Sequence, residues 1–178
     1  MSGDEELMMA VAEGDLGAFE QIVLRHQKNA WSAAYRFLGD HTEAEDIAQE
    51  AFLKILGAAS RYQPTANFRT YLYRVVTRLC LDRARKARPV IASDLVGTAA
   101  DGHSTLRKMI ERDRDRAVRR ALDSLPSKQR MAVVLRHFEG LAYRQVASAM
   151  QLSPKAAERL LARARNTLQT LLKDLLRE

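Results

Sequence analysis

Cysteine is almost absent from this sequence, since Cys80 is the single one in 178 residues. One cysteine excludes an internal disulfide framework and a cysteine-cluster zinc site, and it fits a reducing compartment. Glycine and proline are also scarce, with 8 and 4 residues respectively. Together with long stretches rich in Ala, Leu, Arg and Glu, this scarcity predicts an almost entirely helical protein.

Long apolar runs are absent as well. No run approaches the roughly 20 residues that a membrane-spanning helix needs. The first ten residues, MSGDEELMMA, are acidic and lack the basic and apolar regions of a secretory signal. We therefore expect a cytoplasmic protein with no membrane insertion.

Motifs for catalysis or metal binding are also missing. The sequence has no glycine-rich loop that could cradle a phosphate and no nucleophile motif. The four histidines are scattered without ligand spacing: His26, His41, His103 and His137. We therefore expect no metal site, no cofactor and no enzymatic activity.

Charge, by contrast, is plentiful and unevenly distributed, with a net charge of +7 overall. Residues 1–60 carry 4 Lys or Arg against 11 Asp or Glu, a net charge of −7. Residues 61–90 carry 8 against 1 and residues 111–178 carry 15 against 8, so each block has a net charge of +7. One acidic and two basic blocks indicate different partners on different surfaces, although any one run is also compatible with a solvated face.

The pattern of helices predicts an all-α fold of two small helical domains joined by a flexible linker. Helical periodicity covers residues 4–12, 15–38, 43–59, 68–87, 111–124, 127–139, 143–150 and 154–176. Residues 89–105 lack that periodicity and contain Pro, Gly, Ser and Thr. We therefore assign residues 1–90 to the N-terminal domain, 91–110 to the linker and 111–178 to the C-terminal domain.

The helix predicted from residue 43 has one exposed leucine. Gly39 is predicted to end the preceding helix, and Thr42 with Glu45 has the pattern of a capping box. Apolar residues fill one arc of the helix, but Leu53 lies in the middle of the opposite, polar arc. A single exposed leucine is ordinary. Alternatively, Leu53 anchors a docking stripe in which its polar neighbours select a partner helix.

The helix predicted over residues 68–87 has a basic face that includes an aromatic residue. Tyr71, Arg74, Arg78 and Arg85 lie on one side, opposite the core face that contains Phe68 and Leu72. Guanidinium groups can hold phosphates while a tyrosine ring stacks on an unpaired base, so this face suits single-stranded nucleic acid. The alternative is a solvated basic face.

The segment YRQVASAMQLSPKAAERLLARAR has the pattern of a helix–turn–helix. Ser153 fits an N-cap and Pro154 the first helical position. The second helix turns Lys155, Glu158 and Arg159 outward, where side chains could contact base edges in a major groove. Many helical hairpins share this pattern, so the segment alone leaves its function open.

Three segments, in this order and spacing, resemble one protein family. They are DLGAFEQIVLRHQKNAWSAAYRFLGDHTEAEDIAQEAFLKIL, FRTYLYRVVTRLCLDRARKAR and ALDSLPSKQRMAVVLRHFEGLAYRQVASAMQLSPKAAERLLARARNTL. The sequence resembles the bacterial RNA polymerase sigma factors, specifically the two-domain extracytoplasmic-function (ECF) class. The resemblance implies an alternative sigma factor that binds core RNA polymerase and promoter DNA. It also implies regulation by an anti-sigma factor.

The resemblance assigns a role to each of the three surfaces. The docking stripe would bind core polymerase through Asp46, Gln49, Glu50 and Leu53. The loop and helix after it would melt the minus-ten element and capture its single strand through Asn67, Phe68, Tyr71, Arg74 and Arg78. The helix–turn–helix would read the minus-thirty-five element through Ser153, Lys155, Glu158, Arg159 and Arg163. Gln151 stands where the family often has glycine, so a left-handed backbone there would cost about 1 kcal/mol.

Two other functions fit parts of the sequence. A stand-alone helix–turn–helix regulator explains residues 111–178 but leaves the docking stripe and the Tyr71–Arg78 surface without a purpose. A helical protein–protein adaptor would leave both basic faces solvated. Charge complementarity between residues 1–60 and the two basic blocks makes a closed form of the free protein plausible. We expect such a form to hide the docking stripe and both DNA faces.

Overall fold

A computed structural model describes residues 3–86 and 106–173, with the backbone alone for residues 106–113. All regular secondary structure within these residues is helical, which confirms the all-α prediction. The helices are α1 (Asp4–Ala12), α2 (Leu16–Leu38), α3 (His41–Gly57), α4 (Phe68–Lys86), α5 (Leu106–Asp123), α6 (Ser127–Val133), α7 (Tyr143–Ala149) and α8 (Pro154–Leu171). A 3₁₀ turn spans Ala59–Arg61, and a π-helical segment spans Val134–Phe138.

Helices α1 to α4 form the N-terminal domain around a shared apolar core. Helix α2 begins where the Asp15 carboxylate accepts a 3.0 Å hydrogen bond from the Ala18 amide. It ends, as predicted, at Gly39, whose φ of 78° is readily adopted only by a residue without a Cβ. The largest fully buried side chains of the domain include Ile22, Phe37, Ile47, Ile55, Phe68 and Leu72.

Helix α3 begins two residues earlier than the capping-box pattern predicts. Asp40 is its N-cap, and its side chain accepts a 2.8 Å hydrogen bond from the Glu43 amide. The predicted capping box of Thr42 and Glu45 is therefore wrong, since Thr42 lies inside the first turn. Asp40 is favoured over Thr42 as the N-cap because its carboxylate accepts the amide hydrogen bond and also interacts favourably with the helix dipole.

Helix α5 begins five residues before the helix predicted over residues 111–124. Helix α5 starts at Leu106, so residues 106–110 of the predicted linker are helical, and the domain bounds themselves stay a prediction. The rest of that predicted linker lies outside the described residues. The sequence does contain a signal for this start. Leu106, Met109 and Ile110 are apolar at helical spacing directly after Ser104 and Thr105, and the prediction did not use them.

The helix predicted over residues 127–139 divides into α6 and the π-helical segment. The Glu139 amide donates to the Val134 carbonyl at 3.0 Å, which is the i→i+5 bond of a π turn. Gly140 follows with a φ of 69°, and the Leu141 amide returns to the Leu135 carbonyl at 3.0 Å. This widened turn fixes the direction in which Glu139 projects.

The turn between α7 and α8 has the predicted helix–turn–helix form. Gln151 has a φ of 54°, so it adopts the left-handed conformation whose cost at this position was considered above. Ser153 is the N-cap of α8, with its hydroxyl accepting from the Ala156 amide at 3.2 Å, and Pro154 is the first helical residue. Ala157, Leu161 and Ala164 pack inward against α6 and α7.

The two domains pack against each other and share one continuous apolar core. Helix α4 lies between them, since it contacts α2 and α3 on one side and α6 and α7 on the other. Because α4 also carries the predicted single-strand surface, the packing of the C-terminal domain determines how much of that surface is accessible.

Candidate nucleic-acid interfaces

The predicted docking stripe lies on the solvent side of α3. Asp46 and Gln49 are exposed, and Leu53 is 67% exposed although it is a large apolar residue. Glu50 is half-buried and forms an ion pair with Lys54 at 3.4 Å. The closed arrangement thus leaves this stripe accessible, so the expectation that closure would hide it is wrong.

Tyr71 lies on the predicted single-strand surface of α4, in an aromatic cluster. Its ring is tilted against Tyr62 at a centroid distance of 5.4 Å and meets Phe68 edge-on at 6.2 Å. Burial raises the pKa of the Tyr71 hydroxyl, and the guanidinium groups of Arg74 and Arg61 partly oppose that rise. The Tyr71 hydroxyl is therefore neutral at physiological pH, with a half-buried ring beside cationic groups.

The two remaining candidates at the start of α4 have structural contacts. The Asn67 side-chain oxygen accepts from the Thr70 amide at 2.9 Å and from the Thr70 hydroxyl at 2.6 Å, which is the geometry of an N-cap. Phe68 is 0% exposed and belongs to the core. Its ring cannot reach a base in this structure, so the assignment of Phe68 to the DNA surface is corrected to a core role.

A cleft of about 550 Å³ opens beside the same surface of α4. Its wall includes Tyr71, Arg74 and Arg78 from α4, Lys54 from α3, and Gln151 from the helix–turn–helix. Arg78 is exposed, whereas Arg74 is half-buried and donates to the Ser148 hydroxyl at 3.1 Å. The predicted minus-ten residues therefore lie together, but the C-terminal domain covers part of them.

The outer face of α8 carries the predicted major-groove residues. Lys155, Glu158, Arg159 and Arg163 are all exposed and lie opposite the buried alanine and leucine side chains. Ser153 is also exposed, but its hydroxyl already serves as the N-cap. The structure brings these residues together on one face, and closure leaves that face open, contrary to expectation.

A buried polar contact between the domains was not predicted from the sequence. The Tyr73 hydroxyl donates to a Glu139 carboxylate oxygen at 2.5 Å, with Tyr73 0% and Glu139 8% exposed. The Arg69 guanidinium donates to the Glu139 carbonyl and lies 5.5 Å from the centre of the Tyr73 ring. Burial is the largest cause of the raised pKa of Tyr73, and the hydrogen bond to Glu139 adds to it.

Two arginines of the C-terminal domain contact the end of α2. Arg119 donates to the carbonyls of Tyr35 and Arg36 at 3.3 and 2.9 Å, and Arg130 donates to the Phe37 carbonyl at 3.1 Å. The last carbonyls of a helix have no partner within it and carry partial negative charge, so guanidinium groups stabilise them. From the sequence alone, these arginines are visible only as part of a basic block.

His26 has a structural contact inside the N-terminal domain. His26 is buried, and its Nε2 lies 2.7 Å from an Asp4 carboxylate oxygen. Within residues 3–86 and 106–173, no group of three or more His, Cys, Asp or Glu side chains could hold a metal ion. In the same part of the chain, no helix is long and apolar enough to cross a membrane.

The geometry defines a helical protein with a helix–turn–helix domain and a second basic surface, and comparison with known proteins identifies its family. Residues 22–90 match the family model for Sigma-70 region 2, and residues 115–168 match that for Sigma-70, region 4. The RNA polymerase sigma-H factor of Pseudomonas aeruginosa is 34% identical, over 98% of this chain and 96% of that protein. The ECF RNA polymerase sigma factor SigM of Mycobacterium tuberculosis is 32% identical, over 95% of this chain and 84% of that protein.

Solved structures agree with these relatives. The structure of CnrH in complex with the cytosolic domain of CnrY matches with a TM-score of 0.75 and 27% identity, over 97% of this chain and 99% of that chain. The sigma factor RpoE of Bartonella quintana, in complex with the anti-sigma factor NepR, shares the fold with a TM-score of 0.67 and 22% identity. The chain belongs to the sigma-70 family, in its ECF class. It is thus an alternative sigma factor, a transcription initiation factor, and the stand-alone regulator is not favoured.

Proposed function

We propose that the N-terminal domain docks on core RNA polymerase through the exposed stripe of α3. The observation that carries this proposal is the exposure of Leu53, at 67%, between acidic and amide side chains. An exposed leucine surrounded by polar groups suits an interface in which the apolar residue provides affinity and its neighbours provide selectivity. Asp46, Gln49 and Glu50 are the neighbours that would meet a basic or polar helix of the polymerase.

The basic surface of α4 captures the melted strand of the minus-ten element in this proposal. Arg74 and Arg78 would hold phosphates, and the half-buried Tyr71 ring would stack on an extruded base. Asn67 would act by fixing the start of α4, since its side-chain oxygen accepts from Thr70 in the cap instead of contacting a base. Strand binding would offset the few kcal/mol that unstacking a base requires.

The outer face of α8 reads the minus-thirty-five element in the major groove. Arg159 and Arg163 suit guanine edges or phosphates, Lys155 suits a phosphate, and Glu158 can accept from cytosine. Ser153 contributes by capping the helix, since its hydroxyl accepts from the Ala156 amide. The remaining backbone amides of the first turn could then donate to a phosphate. The promoter sequence does not follow from these residue types.

The chain has no catalytic residue of its own in this account, and it acts in the cytoplasm with the polymerase. Its family relatives include sigma factors solved with an anti-sigma factor, and we propose that this chain also has such a partner. Specificity then comes from holding two DNA readers at a fixed separation on the polymerase, and affinity from phosphate contacts.

The test is co-elution with bacterial core RNA polymerase in size-exclusion chromatography. Wild type should co-elute, and Leu53→Glu should reduce the bound fraction at least tenfold because a charge would then have to be buried at the interface. Leu16→Glu is a matched control, since Leu16 is also 67% exposed but lies at the start of α2. Equal binding by all three proteins would mean that the interface does not include Leu53 of α3. Binding by none of them would contradict the proposal that this chain docks on core polymerase.

A further inference from the structure

The closed arrangement affects the three proposed interfaces unequally. The docking stripe of α3 and the outer face of α8 remain exposed. Arg74 of α4, however, is bound to the Ser148 hydroxyl of α7, and Gln151 forms part of the cleft beside Tyr71 and Arg78. Closure therefore restricts only the single-strand surface of α4. The Arg74 guanidinium, which the proposed function needs for binding a phosphate, is hydrogen-bonded to the neutral Ser148 hydroxyl instead.

In addition to the shared apolar core, two sets of polar contacts hold this arrangement. The first is the Tyr73–Glu139 latch, in which the Tyr73 hydroxyl and the Arg69 guanidinium both donate to Glu139. The second is the α2 cap, in which Arg119 and Arg130 donate to the last carbonyls of α2. The second set has a reciprocal contact, since Arg36 of α2 lies 4.4 Å from the centre of the Phe138 ring.

The Tyr73–Glu139 hydrogen bond forms only when the two domains are closed. When the domains are apart, water can hydrate both the Glu139 carboxylate and the Tyr73 hydroxyl. When they are closed, both groups lie away from water and depend on each other. Removing one partner therefore leaves a buried acceptor unpaired in the closed form only, which selectively disfavours that form.

We propose that the free chain is autoinhibited by this latch and cap, which hold the C-terminal domain over Arg74 so that single-stranded DNA cannot engage α4. Because the docking stripe stays exposed, core polymerase can bind first and strand capture follows when the domains separate. The regulatory consequence rests on the proposed function of α4, whereas the closed state is a property of the isolated chain.

The test compares four full-length proteins: wild type, Tyr73→Phe, Arg119→Glu and Tyr143→Phe. Tyr73→Phe removes only the latch hydroxyl, and Arg119→Glu places a carboxylate against carbonyl oxygens of α2. Tyr143→Phe is the matched control, because the Tyr143 ring is exposed on α7. Small-angle X-ray scattering measures the radius of gyration, and fluorescence anisotropy measures binding of a labelled 12-nucleotide oligothymidylate, with circular dichroism to verify folding.

Wild type and Tyr143→Phe should be compact and bind the oligonucleotide weakly. Tyr73→Phe and Arg119→Glu should both be expanded and bind it about tenfold more tightly. An expanded wild type, or equal dimensions and affinities in all four proteins, would overturn the proposal. Expansion of the variants without tighter oligonucleotide binding would overturn it as well. Domain closure would then not be what limits binding of single-stranded DNA to α4. Co-elution of the same proteins with core polymerase reports on the proposed function separately, because the docking stripe is unchanged in each.

Discussion

Cys80 lies fully buried on α4, within the apolar core. Burial raises the pKa of its thiol to about 12, with Arg83 opposing and Glu43 reinforcing the rise. The thiolate is the nucleophilic form, so this cysteine is both inaccessible and protonated at neutral pH. A structural role as a small core residue follows, rather than a redox or modification site.

Thiol reactivity tests this role directly. We expect Cys80 to react with a disulfide reagent at pH 8 at least a hundredfold more slowly in the native protein than in 6 M urea, because reaction requires unfolding. The pH dependence has a definite sign as well. Above about pH 9 the unfolded chain loses the thiol proton and the folded chain retains it, so the free energy of unfolding should fall as pH rises towards 12. Rapid native reaction would contradict the burial of Cys80.

Helix α8 shows how a single cap supports an entire recognition element. Its residues alternate between an inward apolar arc and an outward polar face, and its start is fixed by Ser153 and Pro154. Without a cap, the first amides of the helix lose a partner and the first turn frays. The side chains proposed to read DNA begin in that turn, with Lys155.

Removing the cap should therefore destabilise the protein. Ser153→Ala deletes the 3.2 Å hydrogen bond to the Ala156 amide and should lower the free energy of unfolding by about 1 kcal/mol. The measurement is urea denaturation followed by circular dichroism. Ser127→Ala is the control, because the N-cap of α6 is Pro126 and Ser127 lies within the helix. An equal effect of the two changes would mean that the Ser153 hydroxyl does not cap α8.

The elements differ in how far the sequence predicts them. The helix–turn–helix was predicted closely because its signals are local: Ser153 and Pro154 at a helix start, and apolar residues at helical spacing. Helix α4 was predicted less well. Its predicted core face correctly included Phe68 and Leu72, but Tyr73 is also buried, because α4 packs against both domains. Hydrophobic periodicity identifies the one face of a helix that packs on the core of its own domain. It does not reveal a second face of α4 that is buried by helices far away in the sequence.

At the scale of the whole molecule, the sequence predicted two domains and an attraction between them, but not how they meet. The expected pairing of acidic and basic blocks occurs inside the N-terminal domain, where Arg83 lies 3.2 Å from Glu43. Between the domains, arginines instead donate to helix-end carbonyls, and a tyrosine donates to a buried glutamate. Backbone carbonyls carry no sequence signature, which is why net charge predicted closure but not its contacts.

As an alternative sigma factor, this chain should direct core RNA polymerase to promoters. The most direct measurement is in vitro transcription of the source organism's genomic DNA by core polymerase, with and without the chain, followed by sequencing of RNA 5′ ends. Discrete 5′ ends should appear only with the chain, each preceded by two shared sequence elements at a fixed separation. Identical 5′ ends with and without the folded chain would contradict it.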